Sequence, residues 1–466
     1  MRVILAIWAA KILVIIGKLV GKKGSSTPGS VALKICPDML RILAKKVPEI
    51  AVICGTNGKT TTNNLLCAIM QASGRRVICN HIGANMLAGV ACAFAVNADI
   101  FGRIHADFAA IEVDEFSAVK VFEHFKPNFM IITNLFRDQL DRYGEIDIAI
   151  SRLQQAIDMA PNCKLVLNAD DPLVAAFACD NSLEVHYFGV GERVFEDDAE
   201  DTGERVTDGL FCRKCGEKLK YEYIHYNQLG RFFCTKCGFC RPHADTEAQN
   251  VELRAEGGLA FDVWGARIDV NYRGFYNIYN ILAAMSVASL SGATDVVQPP
   301  SEHTQDADSS KINLAPVTRA LADYQPQIGR MQMYKIGGKE FIFNLSKNPA
   351  GFNQAIKTIG NDPESAVIIA INDNEQDGID ISWIWDVDFE LLNAARVFAC
   401  GTRRDDLRVR LKYAETAAVT MCATVRDALE AARRGGEARV YVLVNYTALF
   451  PTEKLLNEMA RRRRNP

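Results

Sequence analysis

Short apolar runs alternate with helix-like stretches from about residue 50 onward. A helical pattern covers 59–72, and the apolar runs predict five strands, at 50–54, 108–113, 128–133, 164–167 and 184–188. Strands that alternate with helices predict an α/β domain with a parallel sheet and helices on both faces. Such sheets bind ligands at the carboxyl ends of their strands, so polar residues that follow these runs are candidate site residues.

A second alternating pattern follows a polar, proline-containing segment, residues 294–311. Its apolar runs predict strands at 341–345, 366–371, 395–399 and 440–444. We therefore expect an N-terminal helical segment (1–48), a central domain (49–293), a linker (294–311) and a smaller α/β C-terminal domain (312–466). Residues 205–245 interrupt the central pattern and predict an insertion.

Residues 1–20 are strongly apolar, but Lys11 and Lys18 interrupt them. No run reaches the roughly 18 uncharged apolar residues that a membrane span needs. Two interpretations remain: a helix packed on the body of the protein, or an interfacial helix that touches the anionic inner leaflet of the membrane, assisted by the basic tail at 461–464.

Composition limits the function classes. The chain has 466 residues, 49% hydrophobic and 23% charged, which is typical of a globular protein. Its net charge of −3 provides no global basic field for nucleic acid. Ten of the fourteen cysteines lie outside any pairing motif, which favours a reducing, cytoplasmic compartment.

Residues 55–62 (Gly-Thr-Asn-Gly-Lys-Thr-Thr-Thr) lie between a predicted strand and a predicted helix, which is the context of a phosphate-binding loop. Lys59 is expected to neutralise the β- and γ-phosphates, and Thr60 to ligate Mg²⁺. The loop is a shortened variant, because Ile53 stands where the full pattern has glycine. Glu112, at a strand end, is a second candidate for Mg²⁺, with simple solvation as the alternative.

Four cysteines follow the spacing Cys212-x2-Cys215-x18-Cys234-x2-Cys237. This spacing is typical of a zinc ribbon, in which two knuckles present four thiolates to one structural Zn²⁺. The closed ligand set leaves no position for a catalytic water. Cys240 could replace Cys237, but it breaks the symmetry of the knuckles. A nucleic-acid role for the ribbon lacks a basic stripe.

Together with the loop, four further segments resemble those of the Mur ligase family, which includes folylpolyglutamate synthases. They are residues 133–144 (Thr-Asn-Leu, then Asp138, Leu140, Asp141 and Gly144), 168–171 (Asn-Ala-Asp-Asp), 274–284 (beginning Gly-Phe-Tyr-Asn) and 329–332 (Gly-Arg-Met-Gln). The resemblance implies a P-loop domain of the Mur ligase type that uses ATP and Mg²⁺. It implies nucleotide contacts by Gly55, Thr56, Asn57, Gly58, Lys59, Thr60, Thr61, Asn168, Asn277, Asn280 and Arg330. The last four have structural alternatives, and Asn280 is the best candidate for a mere helix cap.

Two departures from the family pattern bear on the reaction. Gln139 stands where the family has a metal-contacting histidine. Residues 344–349 (Asn-Leu-Ser-Lys-Asn-Pro) stand where the last domain of the family opens with D-x-A-H-x-P. Both departures argue against a ligase that joins a free amino acid to its substrate.

The ribbon, with residues 134–145, 223–228 and 348–353, is similar to one subgroup of this family, the synthetase subunits of lipid II isoglutaminyl synthases. This resemblance implies ATP-dependent amidation of the α-carboxyl of D-glutamate in the lipid II stem peptide to D-isoglutamine, through an acyl phosphate, in peptidoglycan biosynthesis. It also implies a heterodimer with a glutaminase subunit that supplies ammonia, in the cytoplasm or at the inner face of the cell membrane.

Residues 372–390 hold seven acidic residues, no basic residue, and both Trp383 and Trp385. A solvated loop and a partner surface are both compatible with this composition. The subgroup resemblance implies that Asp380 orients the catalytic histidine of the glutaminase subunit. The chain lacks a glutaminase elbow of its own, since Cys400 is not preceded by glycine.

Two rival functions remain. One is a ligase of the same family that adds a free amino acid to a carboxylate. The other is a non-catalytic zinc-ribbon, nucleotide-binding adaptor that binds nucleic acid.

Overall fold

The computed structural model places three helices ahead of two α/β domains. The residues that it describes are 1–19, 26–80, 84–137, 146–195, 208–254, 257–271, 273–294, 313–324, 328–360, 362–416 and 418–461. The predicted linker, apart from residue 294, lies outside the described residues, and so do Asp138–Gly144 and Arg462–Arg464.

The N-terminal helices are α1 (Arg2–Leu19), α2 (Ser26–Ile35) and α3 (Met39–Ala44). Helix α1 packs on α2 and on a later helix, Leu87–Asn97. It does so through a narrow face of buried residues, Ala6, Ile7 and Ala10. Within the described stretches, no helix combines the length and apolarity needed to cross a membrane.

The central domain is built on a nine-stranded sheet, and two further strands form a separate hairpin. In chain order the strands are β1 (Glu49–Cys54), β2 (Val77–Cys79), β3 (Phe108–Glu112), β4 (Phe129–Ile132), β5 (Lys164–Asn168), β6 (Val185–Val190), β7 (Lys220–Tyr226), β8 (Leu229–Phe233), β9 (Thr246–Leu253), β10 (Leu259–Val263) and β11 (Ala266–Val270). The sheet order is β11-β10-β9-β6-β5-β4-β1-β3-β2. The strands from β2 to β9 in this order are parallel, whereas β10 and β11 pair antiparallel.

Helices cover both faces of this sheet. They are α4 (Lys59–Ala72), α5 (Leu87–Asn97), α6 (Ala118–Phe122), α7 (Ile146–Asp158), α8 (Pro172–Ala175, continued by a 3-10 turn) and α9 (Tyr276–Leu290). Because both faces are covered, the central strands are apolar at nearly every position, as in Ile50–Cys54. Helix α9 packs along α4 and is buried over most of its length.

The strand register brings the candidate site residues to one edge of the sheet. Ile53 of β1 pairs with Glu112 of β3, and Cys54 pairs with Ile132 of β4. The residues that follow these strands therefore meet at the carboxyl ends of β1, β3 and β4.

The C-terminal domain has a six-stranded sheet of order β12-β13-β17-β14-β15-β16, parallel except for β12. Its strands are β12 (Gln332–Ile336), β13 (Lys339–Leu345), β14 (Ala366–Ala370), β15 (Arg396–Cys400), β16 (Val419–Met421) and β17 (Arg439–Val444). The helices from residue 315 onward are α10 (Ala315–Asp323), α11 (Pro349–Gly360), α12 (Arg404–Tyr413), α13 (Val425–Arg434) and α14 (Tyr446–Arg461).

The predicted α/β class is confirmed, and every strand predicted from an apolar run lies within two residues of its observed bounds. Short or amphipathic strands carried a weaker pattern and went unpredicted, among them β2, the hairpin β7–β8 and the antiparallel pair β10–β11. Helix α10 follows the predicted linker, yet Val317, Ala320 and Leu321 join the apolar core of the central domain against α4.

Candidate functional site

The phosphate loop adopts a backbone that needs glycine at two positions. Gly55 and Gly58 have φ values of +119° and +85°, a region that side chains disfavour. A Cβ atom at Gly55 would overlap the Thr133 hydroxyl, and one at Gly58 would overlap the side-chain oxygen of Asn280. Helix α4 begins directly after the loop, at Lys59. The strand, loop and helix therefore follow the arrangement in which backbone N–H groups and a helix N-terminus face a bound phosphate.

Residues 133–136, which follow β4, hold the loop in place. The Thr133 hydroxyl donates to the Asn57 carbonyl at 2.7 Å. Asn134 accepts the Thr56 N–H at its carbonyl (2.8 Å) and the Asn57 N–H at its side-chain oxygen (2.9 Å). These bonds order the main chain before any ligand arrives.

The Lys59 side chain is 11% exposed and pairs with a carboxylate. Its Nζ lies 2.9 Å from Oε1 of Glu115 and also donates to the Gly55 carbonyl. Burial opposes the charged ammonium, but the carboxylates of Glu115, Asp114 and Glu112 outweigh this effect and raise the pKa of Lys59. Burial also raises the pKa of Glu115, and the Lys59 charge opposes that rise. The loop thus carries a fixed positive charge that a phosphate group can reach only by competing with Glu115.

Glu112 lies at the end of β3 and is 2% exposed, so the alternative of simple solvation is wrong. Its Oε1 accepts from Nδ2 of Asn85 at 3.1 Å. Within the described residues, its Oε2 has no hydrogen-bond partner. A buried carboxylate oxygen without a hydrogen-bond partner is a suitable ligand for a divalent cation or for a metal-bound water. Thr60 lies one residue beyond Lys59 in the first turn of α4.

Asn280 braces the loop from α9. Its side-chain oxygen accepts from the Thr62 hydroxyl at 3.2 Å, and its amide donates to Asn277 at 3.0 Å. It lies in the second turn of α9 and is 3% exposed, so the interpretation as a mere helix cap is wrong. Asn277 in turn donates to the Arg273 carbonyl at 2.7 Å.

Asn168 and Arg330, the two remaining predicted nucleotide contacts, lie outside the phosphate loop. Asn168 is fully buried and donates to the Thr133 carbonyl at 2.9 Å, so it acts on the loop through Thr133. Burial raises the pKa of both Tyr276 and Tyr324, and the positive charge of Arg330 opposes that rise. Arg330 therefore lies near the start of α9, although the C-terminal domain carries it.

The C-terminal domain contacts the phosphate loop through Asn348. The side-chain oxygen of Asn348 accepts the Gly351 N–H at 2.9 Å and so caps α11. The same amide faces Asn57 of the loop: Asn348 Nδ2 donates to Oδ1 of Asn57 at 3.2 Å, and Asn57 Nδ2 donates to Oδ1 of Asn348 at 3.4 Å. Asn348 is 1% exposed. The sequence marked residues 344–349 as a departure from the family pattern without revealing this contact.

Two other contacts join the domains. Nη1 of Arg137, just beyond the 133–136 segment, lies 3.5 Å from Oδ2 of Asp386. Asp386 belongs to the acidic loop, residues 372–390. Lys357 of α11 donates to the His225 carbonyl of β7 at 3.1 Å. The C-terminal domain therefore contacts both the phosphate loop and the β7–β8 hairpin of the insertion.

The acidic loop presents Asp380 and hides Asp377. Asp377 is 4% exposed and accepts the backbone N–H of Thr447 at 2.8 Å, at the start of α14. Gly378 then turns the chain with φ +85°, and Asp380 is exposed, accepting the Ser382 N–H at 2.8 Å. Asp380 thus lies on the surface of the C-terminal domain, apart from the buried Lys59.

The two tryptophans of this loop have separate roles. Trp383 is 8% exposed and packs on Phe352, with ring centroids 5.5 Å apart, so it belongs to the core. Trp385 is 51% exposed and contacts Tyr413, itself 71% exposed. Of the two interpretations of this segment, a partner surface can therefore use Trp385 but not Trp383.

The four cysteines of the insertion converge as predicted. The Sγ atoms of Cys212, Cys215, Cys234 and Cys237 all lie within 4.8 Å of one another, and two pairs are 3.5 Å apart. A tetrahedral ion with Zn–S bonds of about 2.3 Å needs S···S separations of roughly 3.8 Å, so the cluster fits zinc. Cys240 is not a member of this cluster.

The two knuckles have the same local structure. Each is a Cys-x-x-Cys-Gly turn whose glycine, Gly216 or Gly238, has φ +74°. Each glycine N–H donates to the carbonyl of the first cysteine of its knuckle. Backbone N–H groups of Cys237 and Lys236 lower the pKa of Cys234 to about 7, which favours the thiolate.

A buried polar network attaches the insertion to the central domain. Asp170, fully buried after β5, accepts from Nε of Arg241 at 2.7 Å and from the Tyr279 hydroxyl at 2.7 Å. Arg241 follows the ribbon, and His225 of β7 bonds the same Tyr279 hydroxyl at 2.8 Å. Burial lowers the pKa of His225, which favours the neutral ring. The neighbouring acid, Asp171, has its pKa raised by burial to about 7.

Comparison with known proteins finds two family matches along the chain. Residues 53–235 match the family described as "Mur ligase middle domain", and residues 345–449 match "MurT ligase C-terminal". The chain is 35% identical over 464 residues to the MurT subunit of lipid II isoglutaminyl synthase (glutamine-hydrolyzing) from Staphylococcus aureus, covering 98% of both chains. It is 33% identical over 440 residues to the same subunit from Streptococcus pneumoniae, covering 93% of this chain and 92% of that one.

Solved structures agree on the fold. A pseudomurein peptide ligase type C from Methanothermus fervidus superposes with a TM-score of 0.68 at 23% identity, covering 90% of this chain and 80% of that chain. This confirms the predicted Mur-ligase-type fold.

The cysteine cluster predicts one zinc ion per chain. Cys215→Ser should lose the metal and lower the thermal midpoint, because metal binding contributes directly to the stability of such knuckles. Cys240→Ser, a thiol outside the cluster, should keep both. Metal analysis of the purified variants provides the measurement, and a folded, metal-free wild-type chain would refute the ribbon.

The Asn57–Asn348 contact predicts that the C-terminal domain contributes to nucleotide affinity. Asn348→Asp retains the acceptor that caps α11 but loses the donor and adds charge beside the loop, so the KM for ATP should rise about tenfold. Asn348→Ala also loses the cap and should cost about 1 kcal/mol of unfolding free energy.

The matched control is Asn353→Asp, on the same helix. Asn353 accepts the Asp388 N–H at 2.9 Å, an acceptor role that Asp preserves. Its KM for ATP should stay near the wild-type value. Equal effects of Asn348→Asp and Asn353→Asp would show that the Asn348 contact has no specific role.

Proposed function

Because the chain belongs to the MurT family of lipid II isoglutaminyl synthase subunits, we propose that it amidates the α-carboxyl of D-glutamate in the lipid II stem peptide. The product is D-isoglutamine, ATP provides the energy, and the process is peptidoglycan biosynthesis. The observation that carries the proposal is the preformed phosphate loop, with a buried, protonated Lys59 at the carboxyl end of β1.

ATP binds with its triphosphate over residues 55–61. The first turn of α4, which begins at Lys59, faces the phosphates, and Lys59 leaves Glu115 to pair with phosphate oxygens. Asn280 and Asn168 position the loop through Thr62 and Thr133. Asn277 and Arg330, near the start of α9, are the candidates for contacts with the rest of the nucleotide.

An oxygen of the substrate carboxylate attacks the γ-phosphorus, and ADP leaves. The resulting acyl phosphate has a good leaving group on its carbonyl carbon. Ammonia then attacks that carbon, inorganic phosphate departs with one former carboxylate oxygen, and loss of a proton leaves the amide. The chain contributes positioning and neutralisation of charge.

Thr60 and Glu112 would hold Mg²⁺ at the loop, and the ion, when bound, draws negative charge from the phosphate oxygens. The buried, unpartnered Oε2 of Glu112 supports this assignment. Zinc in the cysteine cluster is structural, since four thiolates fill its coordination sphere. The ribbon then stabilises the insertion whose His225 and Arg241 reach the Asp170 network.

A glutaminase subunit supplies the ammonia and forms a heterodimer with this chain. Cys400, the chain's best-placed thiol for that chemistry by sequence, is fully buried, and burial raises its pKa to about 12. Asp380, by contrast, is exposed, and its Oδ1 accepts the Ser382 N–H. Docking of the partner would bury this carboxylate against a histidine and so fix the tautomer of the ring. Ile379 and Trp385, 71% and 51% exposed, lie in the same loop and suit such an interface.

We place the reaction in the cytoplasm, where ATP and reduced cysteines occur together. Lipid II, a lipid-linked acceptor, is presented there at the inner face of the membrane.

The proposal predicts that two substitutions separate the two half-reactions. The chain is co-purified with its glutaminase subunit, and lipid II amidation is measured with either glutamine or free ammonia as the nitrogen source. Asp380→Asn should lower glutamine-driven turnover by at least about a hundredfold and largely spare ammonia-driven turnover. Lys59→Ala should lower both by at least about a hundredfold, because it removes charge stabilisation at the phosphates.

The outcomes are distinct. Equal loss of both activities in Asp380→Asn would place Asp380 in the nucleotide site or in the fold. Retained activity in Lys59→Ala would discard the phosphate-loop assignment. Failure of the wild-type pair to amidate lipid II with ATP would remove the proposed function.

A further inference from the structure

Helix α1 leaves a continuous apolar stripe exposed to solvent. Ala6, Ile7 and Ala10 face the protein, and the opposite face carries large apolar side chains that are 46% to 82% exposed. They are Leu5, Trp8, Ile12, Ile15, Ile16 and Leu19. At about 100° per residue, all six fall within roughly 100° of the helix circumference, so they form one stripe along the whole helix.

A neighbouring turn extends this stripe. Nε1 of Trp8 donates to the Ile100 carbonyl at 2.9 Å, which ties the turn to the middle of α1. Lys46 holds the same turn from the other side by donating to the Gly102 carbonyl at 2.6 Å. Ile100 and Phe101 are 56% and 66% exposed. The apolar surface thus comes from two separate parts of the chain that are fixed to each other.

Exposed basic residues lie on the two segments that form this surface. Residues 1–48 contain nine Lys or Arg residues and one acidic residue, in a chain whose overall charge is −3. Arg2 and Lys18 of α1 are exposed, and so is Arg103, which lies over the Phe101 ring at 5.9 Å. Asp99, the acid of the turn, is engaged internally by the N–H groups of Phe101 and Arg103. The surface therefore combines exposed apolar area with the exposed positive charges of Arg2, Lys18 and Arg103.

We propose that α1 and the 99–103 turn form a membrane-docking surface that lies in the interface of an anionic lipid leaflet. Large apolar side chains with flanking basic residues are the features by which helices bind in the plane of such a membrane. The exposed lysines and arginines would pair with anionic headgroups. A second copy of this chain is a poorer occupant, because it would bring an equally positive surface against this one.

This inference deepens the proposed function. Helix α1 packs on α5 and α2, and so belongs to the same body as the phosphate loop. Docking of α1 would hold the catalytic domain at the surface where a lipid-linked acceptor is embedded, and would raise the local concentration of that acceptor.

Vesicle binding of the full-length chain tests the proposal without ATP or acceptor, so failure here leaves the proposed reaction untouched. The wild-type chain should co-sediment with phosphatidylcholine vesicles that contain about one fifth phosphatidylglycerol, more weakly with pure phosphatidylcholine, and more weakly again at high salt. The double variant Ile12→Glu/Ile15→Glu should bind at least about tenfold more weakly, because it places two charges within the stripe.

The matched control carries the same substitutions elsewhere. Leu253 and Phe450 are 44% and 47% exposed, so Leu253→Glu/Phe450→Glu should bind like the wild type. Circular dichroism should show both double variants folded. Brominated lipids should quench the fluorescence of Trp8, and the Trp8→Phe variant should lose that quenching.

Three outcomes would overturn the proposal. They are no binding of the wild-type chain to anionic vesicles, equal binding of the two double variants, and light scattering that shows a dimer abolished by Ile12→Glu/Ile15→Glu in a chain that ignores vesicles.

Discussion

A buried positive charge is the constraint around which the site is organised. The side chains of Lys59 and Glu115 are 11% and 9% exposed, and an isolated buried charge costs several kcal/mol. The Glu115 carboxylate and the Gly55 carbonyl offset this cost by bonding to the Lys59 ammonium. In the proposed function a triphosphate replaces Glu115 as the partner of Lys59, so the loop exchanges one anion for another and its backbone stays in place.

The surroundings of the loop follow from that requirement. Gly55 and Gly58 leave no room for side chains, since Thr133 and Asn280 occupy the adjacent space. Thr133 and Asn134 hold the loop from β4, Asn280 holds it from α9, and Asn348 reaches it from the C-terminal domain. The Asn348 contact joins residues that are far apart in the sequence and connects the C-terminal domain directly to the phosphate loop, while Asp380 remains on the outer surface. In the proposed function, activation of the carboxylate and supply of nitrogen would therefore occur at separate places.

The sequence predicted the parts whose signal is local. The buried strands are continuous apolar runs, the loop motif placed the start of α4 at Lys59, and the Cys-x-x-Cys spacing identified the four members of the cysteine cluster. Parts that depend on contacts between distant residues could not be predicted in this way. Glu115 is one of two acids that follow β3, and its pairing with Lys59 depends on the register of β1 and β3.

Contacts between distant residues also limited what the sequence could predict for the C-terminal domain. Asn348 looked like a departure from a family motif, yet its cap on α11 orients an amide toward Asn57. Trp383 and Trp385 are two residues apart, but only the packing on Phe352 distinguishes the core residue from the surface one.

The most direct test of the whole account is the fate of the acceptor oxygen. Lipid II labelled with ¹⁸O in both oxygens of the α-carboxyl of D-glutamate is converted with ATP and ammonia, and the phosphate released is analysed by mass spectrometry. The account predicts one labelled oxygen in each phosphate; phosphate without label, alongside normal amide formation, would contradict it.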